Sequence, residues 1–499
     1  MAIRFIPNDP LAGASAPGLR VQARRANRPT SRVGFTFSNT AAEGLYDPGT
    51  APFLYWQCRD AGVLALEAWE ASAGPQAFWQ GARRRLRLLQ DRGVDLNAFY
   101  DRQSFSFFHR PIQGRTYFSG ASTDVVAHEI GHGLLDAIRP DLWTSPFLET
   151  GAFHEAFGDC MAVLTALNDG DTRTRLLALT TTLRRRNFVE ATAEELSDGI
   201  RRLAPNHNAA APRRAYNTFQ YQIPETLPDD GGPGALINEV HSFGMLFSGC
   251  FYDLIANIFA SQSSKTSTTL LSSARTAGAI LARGARTATI TPRYFQSVGR
   301  AMVLADQQLH GGANRERISA AFQRHNILLG TNAVLAPSML LEGRAPKVGA
   351  RTATLERRAQ RDLAERLGVS RGARLSVEVS ELAGQGVARV VHTQEVALDA
   401  LDRRLRRVTI AAPVPVIVGS SGRRAAVLGA MPDPTNTERE AQAFVRSLLR
   451  HGQVQFEETR RGAVARRTSP VSGTTHRVAT VRGKKVLERV CFRCDCRAR

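Results

Sequence analysis

Cysteine is scarce in this chain, with six thiols among 499 residues. That is too few for a disulfide framework. Cys58, Cys160 and Cys250 stand singly in apolar surroundings and read as buried free thiols. Cys491, Cys494 and Cys496 crowd the tail as CFRCDC. Three thiols at that spacing could hold a soft metal, but no fourth ligand stands nearby. Long apolar runs are missing too: no stretch approaches about 18 residues without charge, so no membrane span is expected. The opening MAIRFIPNDPLAGASAPGLR has no uninterrupted apolar segment, so no secretory signal is expected. A reducing, cytoplasmic location follows as an expectation, with non-classical export the alternative. Acidic residues are outnumbered: Asp+Glu 45 against Lys+Arg 65, a net charge of +20. Such a balance favours acidic partners but is equally compatible with an Arg-rich coding bias, and it says nothing about fold. What is present is ordinary. Hydrophobic residues make up 43% and charged residues 22%, which excludes collagen-like, disordered and disulfide-dense classes. The length predicts two to four domains.

Residues 1–59 are rich in Pro, Gly, Asn and Arg and read as an extended arm with weak strands. Residues 60–80 carry apolar residues at helical spacing, and GARRRLRLLQDRG is expected to continue as an amphipathic helix. SFSFFHR and RTYFSG alternate as strands do. From 122 to about 329 the pattern is helical. Residues 331–350 look like a linker. Residues 351–499 mix helical stretches (TLERRAQRDLAERLG, EREAQAFVRSLLRHG) with strand-like runs (ARLSVEVSEL, RRVTIAAPVPVIVG). The last third, 331–499, holds 31 Lys and Arg against 16 Asp and Glu, which argues for a separate basic α+β module.

The informative segment is STDVVAHEIGHGLLDAIRP, containing His128-Glu129-Ile130-Gly131-His132. Residues i and i+4 of a helix share a face, so two imidazoles there can bind one Zn2+. Glu129 projects beside the metal position, and Thr123 or Asp124 can cap the helix. Chance produces such a motif in a chain of this length on the order of once in a hundred. Glu155 follows His132 by 23 residues in a second helical run, GAFHEAFGDCMAVLTAL. It can supply the third ligand. Asp159, one turn further on, can accept the second ring N–H of a zinc-bound histidine. Two His and one Glu leave a fourth position for water, which marks a catalytic zinc. The flanks of both acids are apolar, so reading them as plain surface carboxylates is disfavoured.

Asp124-Val-Val-Ala-His128-Glu129-Ile-Gly-His132 and Glu155-Ala-Phe-Gly-Asp159 resemble the two metal-binding helices of the thermolysin family of zinc metallopeptidases, the gluzincins. Asn97-Ala98-Phe99-Tyr100 resembles that family's substrate-holding edge strand. Val240-His241 resembles its transition-state histidine segment, and Asp198-Gly-Ile-Arg201 its arginine segment. The resemblance covers residues 60–330 in order. It implies an α+β, two-lobed peptidase: a small sheet-containing N-terminal lobe, a helical C-terminal lobe, and the helix at about 123–137 between them. An extra α+β domain follows. It also implies a zinc-dependent endopeptidase acting on peptide or protein substrates. A zinc-activated water would attack, with Glu129 as general base and then acid. His241 would stabilise the oxyanion. Asn97 and Ala98 would align the substrate, and Arg201 would contact it beyond the cleaved bond. One zinc per chain is implied.

The chain departs from the family pattern in three places. Leu236 stands where the acid that orients the active-site histidine is expected, leaving Glu239 or another acid as the substitute. A tyrosine is missing from the loop after the first zinc helix, where Trp143 and Phe147 cannot replace a phenol. Ala166 stands at a calcium-ligand position, so calcium is not expected. The alternative function is a weakly active or inactive peptidase-like binding module whose basic C-terminal domain contacts acidic partners. The intact Glu129 favours the enzyme. Nucleic acid is kept only as a secondary partner, because the tail lacks interleaved aromatics. The oligomeric state is not legible.

Overall fold

The computed structural model describes residues 2–26, 33–329, 375–382, 385–421, 424–427, 434–456 and 473–494. The linker at 331–350, the helical run at 354–368 and Cys496 lie outside them. The fold is mixed α+β.

Helix α1 (Ala51–Ala73) starts behind a Thr50 cap, so the boundary placed at residue 60 falls inside a helix. The stretch expected to continue helically does not. After a short turn at Gln80–Ala82, Arg85–Leu89 is a strand. Its arginines face out while Leu86 and Leu88 are buried. Arg-Leu-Arg-Leu is a period of two, and that alternation overrides helix propensity.

A five-stranded sheet runs in the order Phe492–Arg493, Ala98–Tyr100, Ser104–Phe107, Arg85–Leu89, Gly34–Phe37. Its first two pairings are antiparallel and its last two parallel. The outermost strand beside Ala98–Tyr100 therefore comes from the far end of the chain.

Helix α2 (Thr123–Ile138) packs on α3 (Leu148–Asn168) at the centre. Both are buried all round, as helices in the middle of a core are. Around them lie α4 (Gly170–Leu179), α5 (Glu194–Leu203), α6 (Val240–Ala260), α7 (Ser267–Thr287), α8 (Tyr294–His310) and α9 (Arg315–Gln323). Among the described residues α6 is the one helix long and apolar enough to cross a membrane, and 89% of its most apolar stretch is buried inside the protein.

Two glycines set the α2–α3 spacing. A Cβ on Gly131 would lie 2.9 Å from the Gly158 Cα, and one on Gly158 would lie 2.5 Å from His128 Nδ1. With no Cβ at either position, the helices approach closely enough for acids on one to reach imidazoles on the other.

The C-terminal third builds a seven-stranded mixed sheet. Its main path runs Leu375–Leu382, Gln385–Ala397, Val408–Ser421, Lys484–Arg489, His476–Val481, Val454–Gln455, and Arg424–Val427 pairs with Val408–Ser421. The helix Pro434–Arg450 connects it to the helical region. Ser447 donates to the Asn238 carbonyl at 2.9 Å, His451 Nε2 donates to the Asp229 carbonyl at 2.8 Å, and Arg293 pairs with Glu440 at 2.5 Å.

Candidate metal centre and cleft

Ser122, rather than Thr123 or Asp124, caps α2 by accepting the Val125 N–H. Asp124 sits in the first turn and receives N–H groups from Val125 and Ala193 at 2.7 and 2.9 Å. The helix then carries His128 and His132 on one face, with ring centroids 4.7 Å apart and planes at 85°.

Glu155 on α3 faces both rings. Its Oε2 lies 3.3 Å from His128 Nε2 and 3.6 Å from His132 Nε2. All three atoms are buried, and none has a hydrogen bond of acceptable geometry. Leaving three such groups unsatisfied in a core is costly unless a cation takes the space between them. Their spacing fits zinc: ligands about 2.0–2.1 Å from a tetrahedral ion stand roughly 3.3 Å from one another.

The electrostatics agree. Burial pulls His128 down, but the Asp159 hydrogen bond and the nearby Glu155 carboxylate outweigh it and push the ring up to about 9. The pocket therefore favours positive charge at that ring. Burial and the neighbouring positive rings hold His132 well below the usual histidine range, so it is neutral, as a metal ligand must be.

Each imidazole is held from behind. His128 Nδ1 donates to Asp159 at 2.9 Å. Arg213 contacts Asp159 at 2.9 to 3.1 Å, and despite burial it holds this acid below the usual carboxylate range. His132 Nδ1 lies 2.9 Å from His154 Nδ1, so one ring donates and the other accepts. Glu129 is fully buried, and neither carboxylate oxygen has a hydrogen-bond partner. Burial, with the Glu155 charge, pushes it up to about 8.

His241 starts α6. Its Nδ1 lies 2.8 Å from Glu239, which also caps the helix by accepting the His241 and Ser242 N–H groups. The opposite nitrogen, Nε2, hydrogen-bonds the Arg493 carbonyl. With acceptors on both sides, both ring nitrogens donate and the ring is an imidazolium. That charge outweighs burial and holds Glu239 down at about 2.

The Arg493 carbonyl belongs to the outermost strand of the five-stranded sheet. Phe492 pairs with Tyr100 and Arg493 with Phe99, and the Cys494 N–H donates to the Ala98 carbonyl at 2.9 Å. Phe492 stacks on His154 at 3.7 Å and on His132 at 5.0 Å, with Trp143 at its edge. The Cys494 thiol lies 3.7 Å from Arg213, and burial pushes it up to about 12. A cavity of about 20 Å3 remains beside it, lined by Leu196, Ile200, Arg213, His241 and Met245.

Of the residues singled out in the sequence, His128, Glu129, His132, Glu155, Asp159 and His241 converge here. Asn97 is buried beside Ala98 with its amide unpartnered. Arg201 does not join them. It stands at the end of α5, 60% exposed and paired with Asp198 three residues earlier. The arginine in the site is Arg213. Nothing in the loop AAAPRRAYN distinguishes an inward Arg213 from its neighbour Arg214, which pairs with Glu190. His154, Phe492 and Cys494 also escaped the sequence reading as parts of this site. Adjacency to Glu155 could have flagged His154; no local signal flags Phe492.

A second buried cluster was missed as well. Asp9, Asp124 and Glu194 bring carboxylate oxygens within 4.8 Å of one another, and one oxygen each of Asp9, Glu194 and the neighbouring Glu195 has no partner.

A buried pair of histidines and a glutamate, with an unpartnered carboxylate beside them, is a donor set of the kind that holds a catalytic zinc. Residues 113–333 match the family model described as Fungalysin metallopeptidase (M36), a thermolysin-like gluzincin metallopeptidase family. That family implies a zinc-dependent protease and peptide or protein substrates. The match covers less than half of the chain and includes neither Asn97–Tyr100 nor the C-terminal third. No curated protein matches the chain.

Proposed function

We propose that this protein is a zinc-dependent endopeptidase with His128, His132 and Glu155 as the metal ligands. The observation that carries the reading is the convergence of three buried, unpartnered ligand atoms beside an equally unpartnered Glu129. Zinc bound there supplies Lewis acidity toward a water molecule and a peptide carbonyl.

The chain's own groups do the rest. Glu129 accepts a proton from the attacking water and passes it to the leaving amine nitrogen. The imidazolium of His241, oriented by Glu239, donates to the carbonyl oxygen as negative charge grows there. Loss of such a donor costs about 10²–10³ in rate. Asp159 and Arg213 hold His128 in place, and His154 holds His132. The Ala98 carbonyl and the Asn97 amide align an extended peptide along the edge strand. An internal stretch of chain on that strand, with residues before and after it, supports cleavage within chains rather than at their ends.

In this reading the sheet-bearing N-terminal part and the helical part up to residue 330 form two lobes. The basic residues 351–499 are an added α+β domain. The alternative of a peptidase-like binding module is disfavoured by Glu129, since a scaffold has no need of a buried, unpartnered acid at the metal.

The test is metal analysis with a peptide-library digest. About one zinc per chain is expected. His128→Ala loses the metal, while Glu129→Gln keeps it and loses cleavage. A protein that binds no zinc sinks the reading, and retained cleavage in Glu129→Gln removes that residue from the mechanism.

A further inference from the structure

We propose that this chain is its own substrate: the Arg493–Cys494 peptide bond lies where a scissile bond belongs and is hydrolysed within the same molecule. The proposal rests on the metallopeptidase reading above and names a substrate for that site. Contacts on both sides of this one bond carry it. The Arg493 carbonyl accepts from His241 Nε2, and that nitrogen stands 3.2 Å from Glu155 Oε2. The carbonyl thus faces the group that would answer its developing charge, beside a residue of the metal set. On the other side of the bond, the Cys494 N–H donates to the Ala98 carbonyl at 2.9 Å. The residues before it run antiparallel to the edge strand, Arg493 against Phe99 and Phe492 against Tyr100. Main-chain pairing of this kind is how a sheet edge holds an extended peptide.

The side chains are seated as well. Phe492 stacks on His154 with ring centroids 3.7 Å apart, and Trp143 meets its edge. Arg493 reaches Asp95 at 3.4 Å. Cys494 enters a pocket walled by Leu196, Ile200 and Met245, where about 20 Å3 is left over. Its sulfur comes within 4.8 Å of a ring nitrogen of His128 and an oxygen of Glu129. Both Glu129 oxygens are buried without a partner. The acid that moves the proton therefore stands on the leaving side of the bond. Strand pairing alone accounts for the register. It does not account for one carbonyl turning to His241 while the next side chain turns to Glu129.

The step balances as hydrolysis. A water oxygen bonds to the Arg493 carbonyl carbon, and a water proton passes to Glu129. His241 donates to the carbonyl oxygen as charge grows there. The carbon–nitrogen bond then breaks and Glu129 delivers the proton to the Cys494 nitrogen. The products are an Arg493 carboxylate and a Cys494 amine. Because the strand Lys484–Arg489 tethers the segment, the bond is presented at an effective concentration of about millimolar or more. The cut severs Cys494 from its anchor and opens its pocket to an external peptide.

The experiment starts from the full 499-residue chain purified with a chelator, to which zinc is added. The intact mass should fall from a chain ending at Arg499 to one ending at Arg493, with residues 494–499 recovered as a peptide. The rate constant should stay within about twofold across about a hundredfold dilution, as a reaction within one molecule requires. Glu129→Gln should stay whole, both alone and mixed with wild type. Cys494→Pro lacks the N–H given to Ala98 and should also stay whole; zinc content equal to wild type shows that it has folded. A readout without metal tests the placement itself. In the zinc-free chain, the Cys494 amide hydrogen should exchange at least about tenfold more slowly than in Phe492→Ala.

A zinc-loaded wild type that cleaves an added peptide yet stays whole to Arg499 overturns the proposal and leaves the peptidase reading standing. So does a cut at another bond in its place, a rate that rises with concentration, or trimming of Glu129→Gln by wild type. A Cys494 amide that exchanges freely in the metal-free chain overturns it too. A chain that binds no zinc, or binds it and cleaves nothing, defeats the peptidase reading and the proposal together, so the two failures are told apart.

Discussion

Gly158 is where packing and metal binding meet, and replacing it with alanine tests how the centre is built. The added Cβ would stand 2.5 Å from His128 Nδ1, 2.7 Å from Cε1 and 2.8 Å from Cγ. Ordinary contacts begin near 3.4 Å. The ring must therefore move by nearly an ångström, or α2 and α3 must part. Either movement stretches the 2.9 Å bond from His128 to Asp159 and the 3.3 Å approach to Glu155. Disturbing a partner behind a metal ligand costs about 10–100-fold in affinity, which is about 1.4–2.7 kcal/mol. Stability should change less than affinity. Overpacking costs about 1–3 kcal/mol, but alanine regains about 1 kcal/mol of helix propensity over glycine. The assay is a zinc competition titration against a chromophoric chelator, paired with denaturant unfolding of the metal-free protein. Gly170→Ala is the control, because its Cβ meets nothing nearer than the Arg173 guanidinium at 3.7 Å, an ordinary contact. A Gly158→Ala protein whose zinc affinity stays within about twofold of wild type would refute the claim that this contact positions the ligand.

Arg213→Ala should weaken zinc binding by about tenfold or more through Asp159, whereas Arg201→Ala, a change at an exposed side chain, should leave zinc binding and kcat/KM unchanged. Equal effects of the two would contradict the placement of Arg213. Glu194 is pushed up to about 8 by burial and by Asp124, and Glu195 to about 7 by burial. Acids raised on folding contribute stability fully present below their unfolded values near about 4.3, and that contribution is lost as pH rises through 7 to 8. The melting temperature should therefore fall between pH 5 and pH 8, and Glu194→Gln should flatten the slope. Calcium is not expected to raise the melting temperature at pH 8; a calcium-dependent rise abolished by Asp124→Asn would overturn that expectation. Glu239→Gln should lower kcat with little change in KM, because it acts through His241 on the developing oxyanion; an equal rise in KM would assign Glu239 to substrate binding instead.

Much of the centre was legible because its pieces are local. His128, Glu129 and His132 share one helix, where spacing in sequence translates directly into spacing in space. Glu155 and Asp159 repeat the same logic on the next helix. The strand at Arg85–Leu89 was also readable in its Arg-Leu alternation, but the arginine run drew attention to charge instead of period. Arg213 escaped the sequence reading for a different reason. Arg201 and Arg213 stand in comparable polar stretches, and only packing of the Arg213–Arg214 strand against Ala191–Thr192 aims one guanidinium at Asp159.

By itself, then, the sequence determined the candidate ligand set and the acid beside it, since helical periodicity makes the spacing within each helix a property of the chain over a turn or two. Tertiary structure alone decided how close α2 and α3 come and which arginine lies behind His128. It also decided that the strand Phe492–Arg493 lies against Ala98–Tyr100 and brings the Cys494 thiol close to His128 and Glu129. Cys494 and His128 are hundreds of residues apart, and no local period links them. Their meeting depends on strand register and on the burial of Phe492, which exist only once the whole chain has folded.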